Sequence, residues 1–245
     1  MKKTAAFIFL ISLFVTNSAF AQNSFETDTI KTSAGELKIT FIAHGTLMFE
    51  FNNKVIHIDP VSRYTDYSKM PKADLILVTH HHGDHLDKSA IDLIKKENTD
   101  LILTKLCKDK IEEGTVLENG EEKVFEGINI KSVPAYNIIH KRDNGEPFHA
   151  KGECNGYVLT FGDKKVYVAG DTENVPEMKN LSGVDIAFIP MNLPYTMSPE
   201  MAADAVNMLN PKILYPYHFG NTDVNELLKL LKGRKDIDIR VRKMN

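Results

Sequence analysis

Thr79-His80-His81-His82-Gly83-Asp84-His85 follows directly on the run Leu75-Ile76-Leu77-Val78, and the reading of the whole chain turns on this junction. The ligand-type residues have the pattern His-x-His-x-Asp-His. An extended segment sends alternate side chains to the same side, so His80 and His82 can share one cation. The spacing is not the i, i+4 pairing of a helical H-E-x-x-H site. Gly83 permits a tight turn, after which Asp84 and His85 reach a neighbouring position. Imidazole with carboxylate suits Zn2+, with Mn2+ or Fe2+ as borderline alternatives. The competing reading is a His-rich surface loop after a strand. Further ligand-type residues downstream weigh against it.

Upstream of the motif, Glu36 to Ile42 alternates, with Leu37, Ile39 and Phe41 on one side, as a half-buried strand does. Residues 47–51, the Asn52-Asn53 turn and residues 54–59 read as a hairpin that ends at Asp59-Pro60. A polar loop, Val61 to Lys72, leads to the strand before the motif. Downstream, Leu86 to Lys96 has amphipathic helical spacing. Asp100 to Thr104 reads as a short buried strand and Lys105 to Glu113 as a helix. Strands alternating with helices indicate an α/β layered architecture.

In the second half, Asn119-Gly120 and Glu126-Gly127 mark turns between short strands. An irregular polar segment, Ile138 to Gly152, carries His140 and His149. A hairpin over residues 156–169 delivers Gly170-Asp171-Thr172. Val184 to Ile189 is an apolar strand, followed by the loop Met191 to Met197 with Tyr195. Ser198-Pro199 opens a helix as N-cap and first-turn proline. Ile213 to Pro216 is a strand, His218 stands at its end, and Val224, Leu227, Leu228 and Leu231 give the last helix its apolar stripe.

The motif, with Gly170-Asp171-Thr172 and His218 downstream, resembles the signature of the metallo-β-lactamase superfamily in its two-metal hydrolase form. The similarity runs from about Leu37 to His218. The resemblance implies a four-layer αββα sandwich whose two similar halves bring ligands to one edge. It implies that His80, His82 and His149 hold one divalent ion, that Asp84, His85 and His218 hold the other, and that Asp171 bridges them. His140 is the alternative to His149. Zn2+ is the expected metal, and Mn2+ and Fe2+ are compatible with the set. Asp84 is the implied catalytic residue, orienting a water or shuttling its proton, and a hydroxide between the metals is the implied nucleophile. His44, Ile58-Asp59-Pro60 and Tyr195-Thr196-Met197 look most like the ascorbate-6-phosphate lactonase-like and N-acylphosphatidylethanolamine phospholipase D-like branch. That branch suggests that His44 and Tyr195 contact substrate; a plain loop histidine and a core-capping aromatic are the other readings. Asp59 either orients a ligand imidazole or is a turn residue before proline. His57 and His81 read as structural or solvated.

The expected reaction is metal-dependent hydrolysis of a small ester, lactone or phosphodiester. Alternatives are a β-lactamase-type amide hydrolase and a metal-binding or sensing module without turnover. No Gly-x-Ser-x-Gly elbow supports a serine hydrolase. A net charge of −3 gives no electrostatic footprint for nucleic acid, so the expected partner is a small molecule. The 245 residues suit one folded unit. Lys2-Lys3, the apolar stretch Ala5 to Val15 and Ala19-Phe20-Ala21 read as a bacterial-type signal peptide over residues 1–21, with an uncleaved anchor as the alternative. The hydrolase domain is then residues 22–245, periplasmic or secreted, with no membrane span after cleavage. Oligomeric state is open. Export allows Cys107 and Cys154 to pair, but their spacing carries no motif, and two separate thiols is the default.

Overall fold

The alternating strands build two sheets, each of seven strands in sequence order. The structure is a computed structural model and describes residues 25–244, so the expected signal peptide lies outside the described residues. The first sheet contains β1 (Glu26–Thr32), β2 (Gly35–Ala43), β3 (Thr46–Phe51), β4 (Lys54–Ile58), β5 (Leu75–Leu77), β6 (Asp100–Leu103) and β7 (Thr115–Val116). The second contains β8 (Glu122–Phe125), β9 (Ile128–Ala135), β10 (Cys154–Phe161), β11 (Lys164–Val168), β12 (Ile186–Pro190), β13 (Ile213–Tyr217) and β14 (Asp238–Ile239). In both sheets the first four strands pair antiparallel and the remaining contacts are parallel. One topology therefore occurs twice. In each copy an aspartate stands shortly after the fourth strand, Asp59 after β4 and Asp171 after β11.

Helices cover the outside of the sheets. The helices α1 (Lys88–Ile94) and α2 (Lys105–Ile111) bury Ile91, Ile94, Cys107 and Ile111 against Ile76, Val78, Leu101 and Leu103. The helix α3 (Pro199–Leu209) packs on β12 and against α4 (Val224–Leu230). The order is the αββα sandwich. Between the sheets the core is aromatic. Phe188 stacks on Tyr215 with ring centroids 5.0 Å apart and approaches Phe49 at 5.9 Å and Phe41 at 6.1 Å. Such pairs contribute about 0.5–1.5 kcal/mol each beyond area burial, and they join the two sheets across the core.

The capping expectations hold where the chemistry is local. Ser198 accepts the Met201 N–H at 3.2 Å, with Pro199 in the first turn. α1 is shorter than its apolar spacing implies, because Asp87 caps it from one end and Lys95 is already extended at the other. The loop 61–72 is less polar in space than in sequence. It holds a 3-10 turn, Tyr67–Lys69, whose Tyr67 is buried and accepts the Val61 N–H at 3.2 Å. β1 has no hydrophobic alternation to announce it, since Ile30 is its one buried side chain. It is held by pairing with β2 and by Asp28, which receives Tyr215 Oη, Arg240 and Arg242. Cys107 and Cys154 are both buried free thiols, and burial pushes the Cys107 thiol up to about 11.

Candidate metal centre

The motif sits where β5 ends. Val78 continues the strand's hydrogen bonding through Ile102 O at 2.9 Å, and Thr79 starts the turn. Asp59, just beyond β4, organises the turn and the imidazoles around it. Its Oδ1 accepts the Thr79 N–H at 2.7 Å and its Oδ2 accepts the Thr79 hydroxyl at 2.6 Å. The same Oδ2 lies 2.7 Å from His85 Nδ1, and Thr79 Oγ1 lies 3.0 Å from His80 Nδ1. One buried carboxylate thus orients two imidazoles, His85 directly and His80 through a hydroxyl. Each then turns its Nε2 towards the interior of the site. Of the two readings of Asp59, the geometry is that of an orienting carboxylate.

Two glycines permit the close approach. A Cβ on Gly45 would lie 2.6 Å from Cε1 of His85, and a Cβ on Gly170 would lie 2.7 Å from Asn155 O. Gly170 also has φ +65°, a conformation that favours glycine. His44, Asp59 and His218 adopt positive φ as well, at 52°, 47° and 47°. Non-glycine residues in that region are uncommon and cluster at functional positions.

His149 and His140 now separate. His149 Nδ1 lies 2.7 Å from Asn137 Oδ1, which also accepts the His149 backbone N–H at 3.0 Å. Its Nε2 then points inward, 3.2 Å from His82 Nδ1 and 3.4 Å from Asp171 Oδ2. His140 instead places Nδ1 2.7 Å from Glu173 Oε1, outside the cluster. Glu173 is wholly buried and accepts the backbone N–H groups of Ile138, Ile139 and His140, each at 2.7 Å. Asn137 Nδ2 donates to the same carboxylate at 3.2 Å and to Tyr195 O at 2.9 Å. Glu173 therefore shapes the loop, and Asn137 aims His149.

Asp171 lies between two sets of donors. Its Oδ2 faces His149 Nε2 at 3.4 Å and His80 Nε2 at 3.9 Å. Its Oδ1 faces His218 Nε2 at 3.2 Å and His85 Nε2 at 3.3 Å. Asp84 Oδ2 lies 3.3 Å from His44 Nε2 and 3.8 Å from both His85 Nε2 and His218 Nε2. The rings of His44 and His218 are 3.7 Å apart. His80, His82 and His149 form one group with ligand atoms within 4.8 Å of each other, and His44, Asp84, His85 and His218 form another. All seven residues proposed from sequence as ligands come together. His44 lies with the second group, a placement that its loop position did not suggest.

Electrostatics test whether cations fit here. The Nε2 atoms of His80, His85 and His218 and Oδ1 of Asp171 are buried with no hydrogen-bond partner. Buried polar atoms left unpaired are costly, and these four converge on common points. Burial lowers His82 and His149 to about 4 and puts His80 well below the ordinary value, so these imidazoles are neutral at pH 7 and each can offer one lone pair to a cation. Burial also disfavours charge on His85, but Asp171, Asp59 and Asp84 outweigh it and raise this imidazole to about 9. Burial raises the Asp171 carboxyl, yet His218, His85 and His149 outweigh it and hold it below the usual range. A buried carboxylate among imidazole nitrogens is the donor set a divalent ion satisfies, with His85 giving up its proton to bind one. Neither cysteine belongs to it.

The groups surround a cavity of about 430 Å³ that also includes Arg63, Tyr64, Arg142, Phe148 and Tyr195. Tyr195 is 47% exposed and packs edge-on against Phe148 at 5.1 Å, so it borders the cavity rather than capping the core. His57 is buried outside the cluster with Nε2 3.0 Å from Pro71 O, a structural role. Nothing in the sequence singled out Thr79, Glu173, Arg63 or Arg142. A threonine before a histidine and an acid after Gly-Asp-Thr have no signature until the fold buries them.

A family model described as a β-lactamase superfamily domain matches residues 38–218. A metal-dependent hydrolase of Pelotomaculum thermopropionicum is 30% identical over 194 residues, 75% of this chain and 84% of the relative. The crystal structure of a candidate metal-dependent hydrolase from Parabacteroides distasonis is 48% identical and superposes with a TM-score of 0.86, covering 91% of this chain and all of that one. A metallo hydrolase from Ignicoccus hospitalis shares the fold at 23% identity, with a TM-score of 0.70 over 85% of this chain and 96% of its own.

Proposed function

The chain belongs to the metallo-β-lactamase superfamily and is a metal-dependent hydrolase; from that premise we propose that it holds two divalent ions, Zn2+ by preference, and hydrolyses a small ester, lactone or phosphodiester. His80, His82 and His149 would hold one ion and Asp84, His85 and His218 the other, with Asp171 facing both groups. The observation that carries this reading is the division of Asp171, one oxygen towards His149 and His80 and the other towards His218 and His85. When bound, such a pair of ions supplies Lewis acidity and lowers the pKa of water towards about 7.

The protein's own groups do the rest. Asp84 is held below the ordinary carboxylate range despite burial, because the imidazoles of His218, His44 and His85 surround it, His44 within hydrogen-bond distance. It is therefore ionised at neutral pH and suited to accept a hydrogen bond from the attacking water and orient it. His44 is kept from charging mainly by burial, and its Nε2–H, donated to ionised Asp84 at 3.3 Å, holds that carboxylate in place. Tyr64 and Tyr195 border the cavity and hold the body of the substrate. The leader at residues 1–21 supports a periplasmic or secreted enzyme.

Purified protein should hold about two metal equivalents and hydrolyse a generic lactone or bis(p-nitrophenyl) phosphate. Chelation should abolish turnover, and Zn2+ or Mn2+ should restore it. Asp171→Ala should release at least one ion and eliminate activity. Two bound ions with no turnover across an ester, lactone, phosphodiester and β-lactam panel would replace the hydrolase reading with a metal-binding module. Turnover of the β-lactam alone would make it an amide hydrolase.

A further inference from the structure

The chain has five arginines, and they divide by location. Arg234, Arg240 and Arg242 are paired with Asp236, Asp238 and Asp28. Arg63 and Arg142 line the metal cavity, and among the described residues neither has a carboxylate within 4.0 Å. They flank the turn of the histidine motif. Arg63 Nη2 donates to Gly83 O at 3.2 Å, while Arg142 Nη2 donates to Phe148 O at 3.3 Å and lies 3.3 Å from His82 Nε2. Each guanidinium has five donors, so most of each remains available to the cavity.

Aromatic faces support both cations. Arg142 lies 5.0 Å from the centre of the Phe148 ring, and Arg63 lies 5.8 Å from that of Tyr64. Phe148 in turn contacts Tyr195. His82 adds a chemical reason for Arg142 to be free. Its Nδ1 faces His149 inside the site, so a neutral His82 that ligates through Nδ1 carries its one proton on Nε2. An N–H cannot accept from a guanidinium, so Arg142 then lacks that partner.

We propose that Arg63 and Arg142 form an anion-holding subsite at the mouth of the metal cavity, so that the substrate bears a carboxylate or phosphate away from the bond that is cleaved. The substrate-class part of this inference rests on the hydrolase reading; the subsite itself does not. Guanidinium forks match both anions bidentately. Tyr64, Phe148 and Tyr195 then form an apolar wall for the rest of the molecule.

The test uses zinc-loaded protein and three ligands with one benzyl group: benzylphosphonate, phenylacetate and benzyl alcohol. Binding is measured by calorimetry for wild type, Arg63→Gln, Arg142→Gln and the double variant, with zinc content recorded for each. Both arginines are exposed, so the variants should fold, which a melting curve verifies. The double variant should bind at least one of the two anions about tenfold or more weakly, the loss expected of a charge-assisted contact, with benzyl alcohol unaffected. The anion that loses more identifies the group recognised, and equal losses identify a general anion subsite. Unchanged anion affinity in the double variant would overturn the proposal. A fall in zinc content would overturn it as well, by assigning the arginines to support of the metal centre. Arginine-dependent anion binding without turnover of any ester would remove the hydrolase reading and leave the subsite standing.

Discussion

Asp59 Oδ2 stands 2.7 Å from His85 Nδ1, across 26 positions of sequence, and both groups are buried. The two oxygens of Asp59 also take both polar groups of Thr79, whose hydroxyl reaches His80. The carboxylate is positioned to govern metal affinity without touching a metal.

Asp59→Asn keeps the size and removes the charge. Support of this kind for ligand histidines is worth roughly 10–100-fold in metal affinity or activity. Zinc affinity, measured by competition with a chromophoric chelator, should fall within that range while the fold is retained. Wild-type affinity in Asp59→Asn would reduce Asp59 to a turn residue.

Metal loading should release protons from one identifiable group. His85 is raised to about 9 because Asp171, Asp59 and Asp84 outweigh its burial, so at pH 7 it is protonated on both nitrogens. A ligand nitrogen must give up its proton. Zinc titrations in buffers of different ionisation enthalpy should therefore show release of about one proton at pH 7, declining above pH 9. His82 and His149, at about 4, contribute none there. No buffer dependence at pH 7 would contradict the charged state of His85.

The same shifts give the metal-free protein a stability optimum. His85 has a folded value of about 9 against an ordinary 6.5, so its contribution is present below pH 6.5 and is lost as pH rises through 9. His82 and His149, lowered to about 4, act in the opposite sense. Between pH 6.5 and 4 the unfolded chain binds protons that the folded chain refuses, and stability falls with pH. The melting temperature of chelated protein should peak near the ordinary histidine value and fall on both sides. A monotonic profile from pH 4 to 9 would count against this balance.

The loop histidines should differ sharply. His149→Ala should lose one metal, whereas His140→Ala should retain both, because His140 faces Glu173. Asn137→Ala removes the acceptor for His149 Nδ1 and the donor to buried Glu173. It should weaken zinc binding and lower stability by about 1–3 kcal/mol, the consequence of leaving buried partners unpaired. Atomic absorption and denaturant titration measure the two effects. Equal metal loss in His140→Ala and His149→Ala would refute the assignment.

Much of the molecule was legible in the order of residues alone. The strand into His80, the hairpin that delivers Asp171 and the Ser198-Pro199 helix start are each set within a few neighbouring residues. β1 was not legible, because its one buried side chain is Ile30 and its anchor, Asp28, binds arginines more than two hundred positions away. The repeated sheet topology was equally hidden, since the two copies share a pattern of pairing rather than a pattern of residues.

By itself the sequence determined which side chains can hold metal and that strand ends present them: alternation, a glycine turn and the order of imidazole and carboxylate are local chemistry. Only the tertiary structure decided that His149 rather than His140 faces Asp171, that Asp59 serves two histidines, and that Arg63 and Arg142 are left without a carboxylate beside the cavity. Those distinctions depend on which polar atoms find partners once water is excluded, and partners are assigned by the packing of the sheets, not by distance along the chain.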